Sequence, residues 1–391
     1  MGMGPAPVAI TGMSICNALG DDRAAVRAAL WAGRSGLEPT AVAVPFATWT
    51  GPVRGELPEL PAAIADRTTR SARIVMRMLL ELEGALERLR ARWAPGRIAV
   101  LMGTSTAGVD RTEVAWRRFR ETGGLPADYD LWRHHTYGAT LRVVQHLTGA
   151  RGPAWMHSTA CTSSAKPLAS AQRLIASGVI DAAIVGGVDT LCAMTLTGFR
   201  ELDALDAEPC RPFAEGRNGI NIGEGGALLL LERGGEPMAL VEGVGETSDA
   251  YHISAPHPQG AGAVAAMRGA LAQAGVGPAA VHHINAHGTG TRLNDAAEAA
   301  AIAAVFGDEV PVVSTKGYTG HALGGAGAME AAMATFALIE GWIPASCNAA
   351  PVDPALGIRV VTARETGRYT RVLSNSFAFG GNNVSVLLRA P

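Results

Sequence analysis

One cysteine, two histidines and a lysine stand out because each lies among small residues. Cys161 lies in STACTSS, His287 in NAHGTGT, and Lys316 and His321 share STKGYTGH. Each follows an apolar, strand-like run, and α/β folds place their chemistry at strand ends and helix starts. A thiol nucleophile, two imidazoles and an ammonium group together predict carbon chemistry on an acyl thioester.

Cys161 is predicted to lie in the turn before a helix that starts near Lys166. Pro167 supports that start, because proline has no N–H and is best tolerated in a first helical turn. A thiol there faces unpaired backbone N–H groups and the positive end of the helix dipole, so its thiolate is expected to be favoured. Taken alone, a single cysteine is more typical of a small buried residue. The neighbouring motifs favour the nucleophile.

The two histidines are predicted to act as neutral hydrogen-bond donors that stabilise an enolate. His321 is expected to follow a strand and to begin a helix, and a helix N-terminus biases an imidazole toward its neutral form. His287 precedes a turn in which the hydroxyls of Thr289 and Thr291 can bind amide-containing groups. Taken singly, each histidine is as typical of a hydrogen-bonded core residue.

Lys316 requires a carboxylate partner if it is buried, and Glu298 is the predicted partner. The alternative for Lys316 is a solvated loop residue. Glu298 also completes the Asp-x-x-Glu pattern of a capping box that begins at Asp295, so a purely structural role stays open.

The FAFGG run near the C-terminus contains Phe377 and Phe379. One interpretation is a tight turn that connects two strands and buries its rings. The other is a backbone N–H donor for a thioester oxyanion, with Phe379 as a mobile cover over the thiol. The sequence leaves both interpretations open.

Composition narrows the class of protein. The chain has 391 residues, of which 48% are hydrophobic and 17% charged, and this is enough for a large core. A net charge of -2 gives no global electrostatic reason to bind nucleic acid or membrane surfaces. With no signal-peptide pattern and no run of about 18 apolar residues, a cytoplasmic protein is expected. Five cysteines without paired or metal-ligand spacing fit a reducing compartment and predict no metal site.

Helical and strand-like segments alternate along the chain. Predicted helices include 67–92, 261–274 and 295–306, and predicted strands include 98–102 and 281–284. This rhythm predicts an α/β fold with parallel sheets covered on both faces, and its recurrence predicts two similar halves. The predicted boundary separates residues 1–234, which carry the cysteine, from residues 235–391, which carry the histidines, the lysine and the FAFGG turn.

Together these motifs resemble the elongating β-ketoacyl-[acyl-carrier-protein] synthases, thiolase-fold condensing enzymes of fatty-acid and polyketide synthesis. The resemblance runs nearly end to end. Besides the motifs above, it is carried by VAITGMS, RGPAWMHSTACTSS, PFAEGRNGINIGEGGALLLLE, SDAYHISAPHPQG and SNSFAFGGNN. It implies a thiolase-like fold of two αβαβαββ halves, with mixed sheets sandwiching buried helices.

The resemblance implies a decarboxylative Claisen condensation. Cys161 would take the acyl chain, His287 and His321 would act on malonyl decarboxylation and carbanion stabilisation, and Lys316 with Glu298 would support the histidines. No cofactor is implied, because substrates arrive on the phosphopantetheine arm of acyl-carrier protein. The remaining implied roles are pantetheine contacts from Thr289 and Thr291, a substrate contact from Phe377, and an oxyanion hole from the N–H groups of Cys161 and Phe379.

Three departures from the family pattern are visible. Gly317 replaces a common serine, Ala378 replaces a common glycine, and residues 218–220 read Asn-Gly-Ile where Asp-Gly-Phe is usual. Alanine lacks glycine's access to positive φ, so the gate formed by Phe379 is expected to move less freely. The NGINIGEG segment and the AFGG turn look closer to ketosynthases of aryl-polyene pigment pathways.

Two kinds of partner are implied. An acyl-carrier protein would deliver substrates, and an identical copy or a related chain-length factor would complete a two-fold dimer through residues 131–137, whose aromatic and Arg content suits an interface. A basic docking face for the carrier is predicted on one helix, with an ordinary solvated stripe as the alternative. Its arginines are Arg67, Arg70, Arg73 and Arg77.

The rival function is a non-catalytic partner subunit that shapes the pocket of an active ketosynthase. Retention of Cys161 argues against it. A thiolase fits less well, because its family pattern uses a second catalytic cysteine.

Overall fold

The computed structural model describes residues 6–391, in which twelve α-helices and fifteen strands are found. The helices are α1 (Arg23–Trp31), α2 (Arg70–Glu81), α3 (Glu83–Arg92), α4 (Val109–Thr122), α5 (Leu131–His134), α6 (Gly138–Thr148), α7 (Lys166–Ala176), α8 (Ala193–Glu201), α9 (Ala261–Ala274), α10 (Arg292–Phe306), α11 (Lys316–Thr319) and α12 (Ala326–Glu340). The strands are β1 (Val8–Asn17), β2 (Glu38–Pro39), β3 (Trp49–Gly51), β4 (Ile98–Gly103), β5 (Ala154–His157), β6 (Ala182–Asp189), β7 (Ile222–Gly223), β8 (Gly225–Glu232), β9 (Ala239–Ser248), β10 (His283–Asn285), β11 (Val312–Val313), β12 (Trp342–Ile343), β13 (Glu365–Thr366), β14 (Arg371–Phe377) and β15 (Asn382–Arg389).

Ten strands form one mixed sheet in the order β11-β10-β14-β15-β9-β1-β8-β6-β4-β5. Its two five-stranded halves share one pattern of pairing. In the first half β5, β4 and β6 run parallel, and β8 and β1 continue antiparallel. In the second half β11, β10 and β14 run parallel, and β15 and β9 continue antiparallel. β1 and β9 pair antiparallel and join the halves. The predicted α/β fold with two similar halves and mixed sheets is confirmed, and the division after residue 234 stays a prediction.

Helices α7 and α12 lie between the two halves of the sheet. α12 packs on β8 and β6 of the first half and on β14 and β15 of the second, and α7 contacts β6, β4 and β9. Residues Ala326 to Leu338 of α12 are all buried, and most of them are small or apolar. A helix that is apolar all round is stable only when it is covered on every side. Outside the sandwich, α2 and α6 cover the first half and α9 covers the second.

Two predicted helices have different bounds in the structure. The helix predicted over 67–92 is two helices, α2 and α3, separated at Leu82. The break allows Leu82, together with Leu86 and Leu89 of α3, to join the same core cluster as the apolar face of α2. The helix predicted from 295 begins at Arg292 instead, because the Thr291 side chain caps it by accepting the N–H of Asn294. Among residues 6–391, no helix is long and apolar enough to cross a membrane.

Candidate active site

Cys161 lies in the turn that leads from β5 to α7. The preceding residue, Ala160, has φ of 51°, a left-handed conformation that costs energy for a residue with a side chain. Gly103 at the end of β4 permits the close approach of this turn, since a Cβ there would lie 2.2 Å from the carbonyl carbon of Ser163. Ser164 ties the turn to α12 by accepting the N–H of Ala328 at 2.9 Å. The nucleophile is therefore held on a strained, well-anchored elbow.

His321 contacts the thiol directly. Its Nε2 atom lies 3.0 Å from Sγ of Cys161, and both residues are buried. The backbone N–H of His321 donates to the carbonyl of Asn221 at 2.7 Å. The prediction that His321 follows a strand and begins a helix is wrong in detail, because the short helix α11 comes after β11 and α12 begins only at Ala326.

His287 lies between His321 and Lys316 and contacts both. The two imidazole rings are 5.2 Å apart between centroids and nearly perpendicular at 82°. Nζ of Lys316 lies 3.2 Å from Nδ1 of His287 and also donates to the His287 carbonyl. Because an ammonium group only donates, Nδ1 must accept, which assigns the proton of a neutral His287 to Nε2.

The partner of Lys316 is Glu330, not Glu298. Lys316 and Glu330 form an ion pair, and their side chains are only 1% and 2% exposed. Glu298 instead accepts the backbone N–H groups of His287 at 2.8 Å and Gly288 at 2.7 Å. The predicted Lys316–Glu298 pair is wrong. The capping-box alternative is wrong too, because Thr291 caps α10, and Glu298 fixes the loop that carries His287.

Burial sets the ionisation of both histidines. It lowers the pKa of His287 and of His321 well below 6.5, and the nearby Lys316 ammonium lowers both further. Both imidazoles are therefore neutral, as predicted, although the cause is burial rather than a helix N-terminus. Nδ1 of His321 is buried and has no hydrogen-bond partner within residues 6–391.

The thiol behaves differently from the prediction. Burial raises the pKa of Cys161 to about 12, and the Lys316 ammonium opposes this rise only in part. The expectation of a favoured thiolate is wrong although α7 begins at Lys166 as predicted, because removal of the sulfur from water favours the neutral thiol and outweighs the nearby Lys316 ammonium. The resting nucleophile is a thiol, with Nε2 of His321 placed to accept its proton.

The FAFGG run connects β14 to β15 as a tight turn. Gly380 and Gly381 take the positive φ values, 78° and 75°, whereas Ala378 has an extended backbone with φ of -134°. Alanine is therefore no obstacle to this conformation. Phe377 is buried with its ring 6.1 Å from that of His287, while Phe379 is 37% exposed and lies 5.6 Å from the ring of Phe199.

The N–H groups of Cys161 and Phe379 are the predicted donors to an oxyanion. Within the described residues neither donates to a backbone carbonyl. The two residues line the same cavity, so a thioester carbonyl in that cavity can approach both donors. Their role as an oxyanion hole stays a prediction.

A cavity of about 370 Å³ connects these residues to solvent. Thr289 and Thr291 line it, and their hydroxyl oxygens lie 2.9 Å apart. Arg292 and Leu293, the exposed first residues of α10, also border it. The cavity lining includes Cys161, His287, His321, Phe377 and Phe379, so the structure brings together the residues that the sequence singled out.

Besides Glu330, a second buried carboxylate near the site was not predicted. Asp189 at the end of β6 accepts the backbone N–H groups of Ser105, Thr106 and Gly324 at distances between 2.7 and 3.0 Å. It therefore ties the end of β4 to the segment between His321 and α12. An aspartate at the end of the apolar run AAIVGGVD was the available signal.

The four arginines predicted as a docking face do not form a free basic surface. Arg70 pairs with the buried Glu224, Arg73 with Glu59 at 3.0 Å, and Arg77 with Asp21 at 2.7 Å. Arg67 lies outside α2, at the end of a short 3-10 helix. The prediction of one helix is wrong for Arg67, and acidic residues distant in sequence pair with the other three arginines; their role in carrier docking stays a prediction.

Two family models match the chain. The N-terminal domain of beta-ketoacyl synthase matches residues 6–236, and its C-terminal domain matches residues 238–350. The chain belongs to the β-ketoacyl synthase family. This confirms the resemblance that the sequence motifs suggested.

Several relatives cover most of the chain. Nodulation protein E of Rhizobium meliloti (strain 1021) is 33% identical, and the alignment covers 96% of this chain and 97% of that protein. The 3-oxoacyl-[acyl-carrier-protein] synthase 2 of Staphylococcus aureus is 33% identical over 75% of this chain and 77% of its own length.

Solved structures show the same fold. The ketosynthase ApeO in complex with its chain length factor ApeC from Xenorhabdus doucetiae matches with a TM-score of 0.93 and 39% identity, over 99% of this chain and 98% of that chain. The ishigamide ketosynthase/chain length factor matches with a TM-score of 0.91 and 28% identity, over 99% and 100% of the two chains. The predicted thiolase-like fold is confirmed.

Proposed function

We propose that the protein is a catalytically active, elongating ketosynthase. It would transfer an acyl group from acyl-carrier protein to Cys161 and condense that group with malonyl-acyl-carrier protein, with loss of carbon dioxide. The observation that carries the proposal is the set of a thiol, two neutral imidazoles and a buried ammonium group around one cavity.

The first half-reaction is acyl transfer. Sγ of Cys161 attacks the thioester carbonyl while its proton passes to Nε2 of His321, 3.0 Å away. The carbonyl oxygen gains negative charge, which the N–H groups of Cys161 and Phe379 stabilise. When the C–S bond of the incoming thioester breaks, the carrier thiolate leaves and takes the proton from His321. The acyl group remains on Cys161.

The second half-reaction makes the new carbon–carbon bond. The malonyl group loses carbon dioxide, and the electrons of the broken C–C bond form an enolate on the remaining thioester. Nε2–H of His287 donates to the enolate oxygen, because Lys316 holds the proton of this ring on Nε2. The enolate carbon attacks the acyl group on Cys161. The Cys161 sulfur leaves as a thiolate and takes a proton from solvent, to which the cavity is open.

A non-catalytic, chain-length-determining subunit is the alternative function. An intact-mass measurement after incubation with acyl-carrier protein separates the two. We expect a mass gain of one acyl group on the wild-type protein and none on Cys161→Ala. Absence of the adduct from folded wild-type protein would favour the alternative.

We further propose that the protein works in a dimer with a related chain-length factor. Support comes from apolar residues exposed on one region of the fold. Trp132 is 70% exposed, Leu131 and Tyr137 beside it are also exposed, and Trp116 stacks on Phe119 at 5.2 Å. Exposed apolar patches of this kind are typical of protein interfaces.

Light scattering tests this pairing with the candidate partner co-expressed. We expect a heterodimer that Trp132→Asp disrupts. The control is Val179→Asp, at an exposed residue in the turn after α7, which should leave the heterodimer intact. An active homodimer would exclude an obligate heterodimer, and a stable, fully active monomer would exclude both.

The carrier protein is proposed to dock at the mouth of the cavity, where Arg292 is exposed; Arg200, which follows the cavity-lining Phe199 in the chain, is also exposed. No ion pair of either arginine is found among residues 6–391. A role in aryl-polyene chain elongation and a cytoplasmic location stay part of the proposal. The NGINIGEG segment and the AFGG turn support the former.

A further inference from the structure

Cys161, His287 and His321 form a cluster that is chemically suited to a transition-metal ion. Each offers one ligand atom, and these three atoms lie within 4.8 Å of one another. Thiolate sulfur and imidazole nitrogen are preferred ligands of zinc, and sites with three protein ligands and one open position are common. We propose that these three residues bind a zinc ion and that the bound ion inhibits the protein.

The ligand atoms are identified by their other contacts. Nδ1 of His287 faces Lys316, so Nε2 is the nitrogen left to bind a metal, once it has given up the proton that it carries in the metal-free protein. Nε2 of His321 already lies 3.0 Å from the sulfur. In a tetrahedral zinc site, ligand atoms lie roughly 3.3 to 3.6 Å apart, given Zn–N of about 2.0 Å and Zn–S of about 2.3 Å. The distance between Nε2 of His321 and Sγ of Cys161 must therefore increase slightly. The widest distance between two of the three ligand atoms, at most 4.8 Å, must decrease by about 1 Å, and side-chain rotation can supply both changes.

The cavity supplies both access and the fourth ligand. All three residues line it, and it is open to solvent. A water molecule or a small thiol can therefore complete the coordination.

The proton balance of zinc binding follows from the contacts. The thiol must lose its proton, because only the thiolate is a ligand. When Nε2 of His287 binds zinc, the proton of a neutral ring must lie on Nδ1. Lys316 must then give up either its hydrogen bond to Nδ1 or its own proton. Each zinc ion therefore releases at least one proton, and the Lys316 ammonium weakens binding without preventing it.

Zinc binding and acylation exclude each other. A thioester sulfur lacks the charge that makes a thiolate a good zinc ligand, and a zinc-bound sulfur is no longer free to attack a carbonyl. The inference rests on the donor atoms and not on the proposed condensation, so metal binding is measurable even if that reaction fails.

Cobalt and zinc titration of the purified protein, after treatment with a chelator and its removal, tests the proposal. We expect one equivalent of Co²⁺ to produce a thiolate-to-cobalt charge-transfer absorption, and Zn²⁺ to displace it. Loss of an outer-shell partner typically weakens metal binding by about 10- to 100-fold, so Cys161→Ala should weaken it by at least about 100-fold. The signal should also be absent from protein acylated or alkylated on Cys161.

Cys192→Ser is the matched control. Cys192 is a buried thiol that contacts Thr195 at 3.3 Å and lies outside the cavity lining. This variant should bind cobalt as the wild-type protein does. Wild-type protein that binds no stoichiometric metal, or folded Cys161→Ala that binds it equally well, would overturn the proposal.

Discussion

Lys316 and Glu330 form an ion pair that is almost completely buried, and Lys316 also reaches His287. Glu330 is a charged residue in the otherwise apolar, buried part of α12. Charged side chains are almost never fully buried unless they are paired. The pair thus connects the central helix of the fold to the orientation of a catalytic imidazole.

Removing either partner should destabilise the protein. Lys316→Ala or Glu330→Ala leaves a buried charge without its partner, which costs about 3 to 5 kcal/mol. The double variant Lys316→Met/Glu330→Leu should regain most of that free energy of unfolding but no condensing activity, because His287 then lacks its cation. Urea unfolding and product assays measure both quantities. Full activity in the double variant would contradict the assigned role of Lys316.

Asp189 should act as a positioning residue for the segment that follows His321. Asp189→Asn places an amide N–H₂ group against N–H and O–H donors, and an unsatisfied buried group costs about 1 to 3 kcal/mol. We expect lower stability and slower condensation with an altered pH profile. Asp128→Asn is the control, because that carboxylate is exposed. Wild-type stability and activity of Asp189→Asn would show that Asp189 does not position the segment that follows His321.

Alkylation of Cys161 should report its protonation. Burial raises the pKa of this thiol to about 12, so the thiolate is a small fraction that increases tenfold with each pH unit below that value. The rate with iodoacetamide, followed by mass spectrometry, should rise steadily between about pH 7 and pH 9. A rate that is already flat above pH 7 would show a favoured thiolate.

Arg292 should contribute to docking of the carrier protein. Charges at the rim of an interface act mainly on association rate and on salt dependence. Arg292→Glu should therefore reduce use of acyl-carrier protein much more than use of a short pantetheine thioester. Arg73→Glu, at a residue already paired with Glu59, should show no such difference. Equal losses of activity with both substrates in Arg292→Glu would show that Arg292 does not contribute to docking of the carrier protein.

The sequence predicted the residues of the site better than their partners. Short motifs identify Cys161, His287 and His321, because the residues that form each motif are neighbours in the chain. The partner of Lys316 could not be identified in this way, because Glu330 enters from another helix whose orientation is set by packing between the sheets. The signal was present as one acidic residue in AGAMEAAMATFALIE, a run that is otherwise almost free of charge.

Burial and ion pairs between distant residues explain two other errors. The thiolate was expected from the helix dipole, but the sequence did not show that Cys161 is buried. The arginine stripe was expected from helical spacing alone. Glu224, which pairs with Arg70, is 154 residues away along the chain, so only the folded structure reveals the pair.

The division of labour between Cys161 and the two histidines is the central claim. One measurement tests it most directly: the intact mass of the protein and of the carrier after acylated His287→Ala is mixed with malonyl-acyl-carrier protein. The account predicts that this variant keeps its acyl group and forms no β-ketoacyl-carrier product, whereas the wild-type protein loses the acyl group as the product appears. A folded His287→Ala variant that fails to become acylated, or that forms product at the wild-type rate, would contradict the account.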